Sequence, residues 1–266
     1  MRKLFIKPSE LFDSAAMESF REEFVQAFGE DNAWREHIAL EEVLDRCGFD
    51  FALRALHVVA GGRRAKLMYA IRCAQYILPI FEHYYPTDLR PRKALEALER
   101  FLAERSRAQG LRIPDELFAM RSQMLKIRTG EMAANAVVRT VGHVLHISIS
   151  WRVAHNDAAT AMLIQGIVDD SMRAISFATG RGQQTAMPGF LPDTLAAVRE
   201  EAERAAVAMA VRPRDKKQFI RQLVLKEAEN IFAAEFVRMC RLQDAYALVQ
   251  YKNDESDRPD NPAPSE

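Results

Sequence analysis

A chain of 266 residues, 48% of them apolar, has enough length and apolar content for one large core or for one core with a helical extension. Lysine plus arginine balances aspartate plus glutamate at 37 each, so no global field recruits nucleic acid or a membrane surface, and the chain is neither the basic binder nor the acidic mimic that nucleic-acid chemistry would call for. The three cysteines, Cys47, Cys73 and Cys240, are odd in number, far apart and set in apolar patterns; they read as buried thiols of a reducing compartment, and they cannot form a metal quartet.

The start of the chain, Met1 to Lys7, is cationic but lacks a signal-peptide apolar core, and no segment approaches the roughly 20 apolar residues of a membrane span. The cytoplasm is the expected location. The first six residues read as an extended arm. Ser9 to Phe28 reads as a first helix, capped by Ser9 or Asp13, striped by Leu11, Phe12, Phe20, Phe24 and Phe28, and ended by Gly29. Asn32 to Cys47 reads as a second helix bearing Trp34, Ile38, Leu40, Val43 and Leu44 and closed by Gly48, and Asp50 to Ala60 as a short third. Gly61 and Gly62 then break the chain. Arg63, Arg64 and Lys66 open a fourth helix with cations at its positive end, where the macrodipole disfavours them; taken alone they read as a solvated charge run.

In that helix Ala65, Met68, Tyr69, Cys73, Tyr76, Ile77, Ile80 and Phe81 recur at spacings of three and four, a wide apolar stripe. Pro79 removes one N–H and crowds the carbonyl of Gln75, so a kink is expected there. Pro86 stops the helix. In the turn that follows, the Asp88 carboxylate can accept from the backbone N–H two residues on. Pro91 suits the first position of a new helix, whose inner face is Ala94, Leu95, Leu98, Phe101 and Leu102. Arg90, Arg92 and Lys93 again put cations at a helix start. Two offsets stay open: a structural clasp in which Asp88 and Glu96 pair with the arginines around Pro91, or an anion or acidic partner held by Arg63, Arg64, Lys66, Arg90, Arg92 and Lys93.

Gln109 to Pro114 reads as a loop, Asp115 to Ile127 as a helix, and Glu131 to Ala154 as a central helix apolar on nearly all sides. The β-branched residues of this last stretch are not bounded by turns at strand length. Asp157 to Ala178 follows, ended by Gly180. The composition from Gly180 to Leu191 marks a linker or ordered loop, and Pro192 to Val211 and Pro213 to Tyr251 form a helical hairpin. The expected organisation is a core over 1–180, a linker over 181–191, a hairpin over 192–251 and a disordered tail over 252–266. If the hairpin does not pack on its own chain, it is a natural homodimer arm. The fold class is all-α, a bundle or irregular stack of about ten helices.

Catalytic chemistry finds no named carriers. His143 and His146 lie three apart, with His155 a few turns on, and a metal would need them to converge with a carboxylate that spacing does not supply. Glu227, Glu229 and Glu235 lack the Glu-x-x-His partners of di-iron bundles and read as a solvated face. No cofactor is expected, and a non-enzyme is.

The run Cys73 and Ala74, Ile77 to Glu82, Pro86, Asp88 and Arg90 to Glu96 resembles the hallmark of the fifth numbered type of immunity protein in bacterial polymorphic-toxin systems. That family carries a Leu-Pro-Leu-Phe-Glu element ahead of an Asp-x-Arg-Pro-Arg-x-Ala-Ile-Glu motif. Cys47 to Leu56 is also similar to family members, as, more loosely, is Val141 to Ala161, so the resemblance spans about 44–180. Ile147, Ile149 and Trp151 are bulkier than the family's alanine-rich middle, and the N-terminal arm and C-terminal hairpin are additions. The resemblance implies a helical protein that binds a cognate toxin and blocks it sterically. The alternative, read from the cations, is a scaffold or regulatory subunit binding phosphates at Arg63, Arg64, Arg90 and Arg92. A metal enzyme at His143, His146 and His155 is the third reading.

Overall fold

Leu67, Ile71, Ala74, Ile77, Ile80 and Phe81 follow the helical period and are fully or almost fully buried, so the helix that carries them needs cover on several sides. The computed structural model of the protein describes residues 4–13, 15–59, 62–105, 114–150, 157–180 and 191–256. Its N-terminal part comprises strand β1 (Phe5–Ile6), helices α1 (Pro8–Leu11), α2 (Ala15–Glu18), α3 (Arg21–Phe28) and α4 (Glu30–Ala33), strand β2 (Ile38–Ala39), helix α5 (Leu40–Ala55) and a single 3-10 turn (Leu56–Val58). Then come α6 (Arg63–Tyr84), α7 (Arg90–Arg105), α8 (Asp115–Lys126), α9 (Met132–Ser150), α10 (Asp157–Ala178), α11 (Asp193–Ala208) and α12 (Pro213–Ser256). The all-α expectation is met, apart from one two-stranded antiparallel ribbon that pairs Phe5 with Ala39 and Ile6 with Ile38.

The centre is α6, α9 and α10. The last two pack along one another and both lie on α6. The β-branched run of α9 is a helix because Val137, Val141, Val144 and Ile147 are all buried between neighbouring helices, and that packing outweighs the modest helix cost of β-branching. The α6 helix runs unbroken through Pro79. Helices α7 and α8 close the edge formed by α6 and α9. The α11–α12 hairpin packs on its own chain: Phe232 meets Tyr76 edge-on, Phe236 meets Tyr69 and Phe49, and the Tyr76 and Thr194 hydroxyls share a hydrogen bond. Among the described residues, no helix is long and apolar enough to cross a membrane.

The N-terminal part departs from the expected pair of helices. In one straight helix, advancing 3.6 residues per turn, Leu11 and Phe12 would point well away from Phe24 and Phe28. Breaks at Phe12–Asp13 and Ser19–Phe20 let all four residues be buried, with Phe12, Phe28 and Phe51 each in ring contact with Phe24. Ile38 belongs to the ribbon rather than a helix, and Trp34 remains 45% exposed beneath the Arg21 guanidinium. Gly48 does interrupt the chain as expected. Its φ of 82° divides α5 into two helical pieces, a backbone state glycine adopts without a Cβ clash. The last helix runs on to Ser256, past Tyr251. The loop over 106–113, Trp151, His155, residues 181–190 of the linker, and the tail from 257 lie outside the described residues.

Candidate functional site

The turn from α6 to α7 carries the hallmark residues, and they are held by paired charges. The Asp88 carboxylate accepts the Arg90 backbone N–H at 3.2 Å, satisfying a donor of the first turn. It also takes the Arg90 guanidinium in a fork, Nε to Oδ1 at 2.8 Å and Nη2 to Oδ2 at 2.6 Å. The side-chain bond from Arg90 holds the Asp88 carboxyl below its ordinary range, against partial burial, which pushes the other way. Arg92 forms a second fork with Glu82, two bonds of 2.6 Å reaching back across the turn. Glu96 adds only its charge beside Arg92. Pro91 is buried between the two arginines, and Lys93 is exposed. The turn is tied to the start of α9 by Tyr85, which stacks on Phe81 and accepts the Gly130 backbone N–H at 3.0 Å. The arrangement locks two antiparallel helices together, and both guanidiniums face carboxylates of their own chain.

The cations opening α6 are not a uniform solvated run. Lys66 is 0% exposed, and its Nζ donates to the Val59 carbonyl at 2.6 Å; it ties α6 to the segment before it rather than facing solvent. Arg64 is half-buried, and the Arg63 side chain lies outside the described residues.

A polar cluster of which the sequence reading singled out only His143 lies between α9 and α10. Asp170, only 4% exposed, receives Arg139 Nη2 at 2.6 Å and Arg173 Nη1 at 3.2 Å on the same carboxylate oxygen. Its other oxygen is 3.9 Å from His143 Nδ1, which is buried with no hydrogen-bond partner among the described residues. A Cβ at position 166 would sit 3.4 Å from that nitrogen, so Gly166 lets the ring lie close to α10. Burial, aided by the charges of Arg121 and His143, lowers the His146 pKa. The carboxylate near His143 comes from the neighbouring helix, beyond the reach of spacing rules. Even so, no group of histidine, cysteine and acidic side chains among the described residues is arranged to hold a metal ion. His155 lies outside them.

Burial pushes the Cys73 thiol up to about 12 and the Cys47 thiol up to about 11, which suppresses the thiolate that would react or ligate. Glu229 and Glu235 pair with Lys226 and Arg238 one turn away, and Glu227 accepts from Asn230.

Of the sequence candidates, the structure brings Asp88, Arg90, Pro91 and Arg92 together and adds Glu82 as the partner of Arg92. Two positions were legible in retrospect. Glu82 and Arg92 lie symmetrically about the turn at Thr87, as facing residues of a helical hairpin do. Asp170 sits on the buried stripe of Ile167 and Ala174, where a carboxylate requires partners. No curated protein and no solved structure matches the chain. Residues 60–149, which run from the start of α6 almost to the end of α9 and contain the whole clasp, match the family described as Imm-5 like putative immunity protein.

Proposed function

We propose that this chain is a cytoplasmic immunity protein that binds a cognate bacterial toxin domain and blocks it sterically. The observation that carries the reading is the family match over residues 60–149, a segment that supplies two of the three central helices and the charged clasp. Under this reading the clasp is architecture. Asp88, Arg90, Glu82 and Arg92 fix the angle of the hairpin, and the partner is met elsewhere on the surface. Arg90 and Arg92 already face carboxylates and Lys66 is buried, which weighs against the phosphate-binding alternative.

The test is co-expression with the toxin domain encoded beside it. Growth restored by the wild-type chain, together with a complex of fixed stoichiometry on purification, supports the reading. Continued toxicity at matched expression, with no complex recovered, overturns it.

A further inference from the structure

The connection between α11 and α12 forms a tip with an unusual surface. No residue from Val207 to Leu223 is buried. At its apex Val207 is 70% and Met209 is 67% exposed. Around them the stretch 204–221 carries six cations, Arg204, Arg212, Arg214, Lys216, Lys217 and Arg221, against the single carboxylate of Asp215, with Glu200, Glu201 and Glu203 on the turn of α11 just before it, in a chain whose net charge is zero. Asp215 bonds Arg212 at 2.8 Å and lies 3.8 Å from Arg214, leaving most of the excess uncompensated by this stretch. The contrast with the α6–α7 turn, where each arginine has its own carboxylate, is direct.

The apolar apex is also held outward by the backbone. The Ala210 N–H donates to the Val207 carbonyl at 3.1 Å and the Val211 N–H to the Ala206 carbonyl at 2.9 Å, with Ala210 at φ 50°. This is a Schellman closure with alanine in the left-handed position usually given to glycine.

An apolar centre containing methionine, flanked along the chain by four arginines and two lysines, offers the methionine and arginine that protein interfaces favour. Three other occupants fit less well. Nucleic acid calls for aromatic platforms, and the apex is aliphatic. A membrane surface calls for bulkier anchors than one valine and one methionine. A second copy meeting the same face across a two-fold axis would set like charge against like. We infer that the hairpin tip is a docking surface for a protein partner presenting an acidic patch around a small apolar centre, and that this partner is the toxin domain. The inference rests on the immunity reading.

The experiment measures binding of the full chain to the purified toxin domain encoded beside it, at low and high salt. It compares wild type with the triple variant Arg204→Glu, Arg214→Glu, Lys217→Glu and with the double variant Val207→Ser, Met209→Ser. All five residues are exposed, so the fold should tolerate the changes, although glutamate suits the helix dipole only at 214 and 217, near the start of α12, and not at 204, near the end of α11. Circular dichroism and thermal melting check this. At low salt the triple variant is expected to bind about 100-fold more weakly, mainly through a slower association rate that converges on wild type as salt rises. The apolar variant is expected to bind about 10-fold more weakly at any salt. Wild-type affinity in both variants overturns the inference and leaves the immunity reading standing. Failure of wild type to bind the toxin domain removes both. Binding of wild type, lost in the triple variant, to phosphatidylglycerol vesicles, single-stranded RNA or a second copy in place of the toxin domain also overturns the inference.

Discussion

Replacing Phe236 with alanine tests whether the hairpin and the central helices are one cooperative structure. Phe236 is 0% exposed and lies edge-on to Tyr69 of α6 at 5.6 Å and to Phe49 of α5 at 5.8 Å. Burying a phenylalanine side chain is worth about 1.5–3 kcal/mol, and each edge-to-face pair adds about 0.5–1.5 kcal/mol. With the cavity left behind, the loss should fall at about 3–5 kcal/mol, the usual range for Phe→Ala in a core. For a chain of this size that lowers Tm by about 6–20 °C, at roughly 2–4 °C per kcal/mol. Leu223→Ala on the same helix is the control, since Leu223 is 39% exposed and outside the core; it should cost under about 1 kcal/mol. Calorimetry should show one transition that moves as a whole in the Phe236 variant, with hydrogen exchange accelerated in α5, α6 and α12 together. Two separate transitions, with only the hairpin's shifted, would refute the argument and make residues 192–256 an independent unit.

Further outcomes follow from local features. Ala210→Gly relieves the left-handed backbone at φ 50° and should stabilise the protein by about 1 kcal/mol; chemical denaturation showing a loss would refute the turn geometry. The Cys73 thiol is held near 12 against an ordinary 9.0, so its share of stability is intact below pH 9 and is lost as pH rises towards the folded value, by up to about 1.4 kcal/mol per pH unit. Denaturant melts from pH 8 to 10.5 should therefore fall less steeply for Cys73→Ala than for wild type, and equal slopes would remove this reasoning. Asp88 is shifted the other way, so its contribution is present above its ordinary value of 3.8 and lost as pH falls through the lowered one. Asp88→Asn should cost about 0.5 kcal/mol at neutral pH, given the exposure of the pair, and the difference from wild type should vanish in acid.

The parts of the fold readable from the sequence were those where one period governs one element. The stripe from Ala65 to Phe81, the stop at Pro86, the restart at Pro91 and the interruption at Gly48 are each fixed by neighbours within a turn or two. What stayed hidden depends on partners far along the chain. The ribbon joins Phe5 to Ala39, and neither strand has enough residues to show alternation. The breaks in the first helical stretch arise because Leu11 and Phe24 must reach one core from different faces. Lys66 looked like a surface charge because its acceptor, the Val59 carbonyl, is a backbone atom that any residue would supply. Within the candidate site, Arg90 and Asp88 are two residues apart and were paired from sequence. Glu82 was within the recognised motif but ten residues from Arg92, so Glu96, on the same helix as the arginine, drew the assignment instead.

The length of α12 has a mechanical meaning. From Pro213 at the tip to Phe236 in its pocket between Tyr69 and Phe49, the helix spans about 35 Å at 1.5 Å per residue. Val224, Ala228, Phe232 and Phe236 seat its inner part in the core, so the free arm runs from Val224 to the tip, about 17 Å. A rotation of about 10° of the seated part carries the far end about 3 Å along an arc of that radius, comparable to the length of a hydrogen bond. Small changes in how Phe232 and Phe236 seat on α6 are therefore carried into the aim of the tip. Substitutions deep in the core can spoil the alignment of Val207 and Met209 with whatever they meet without touching either residue.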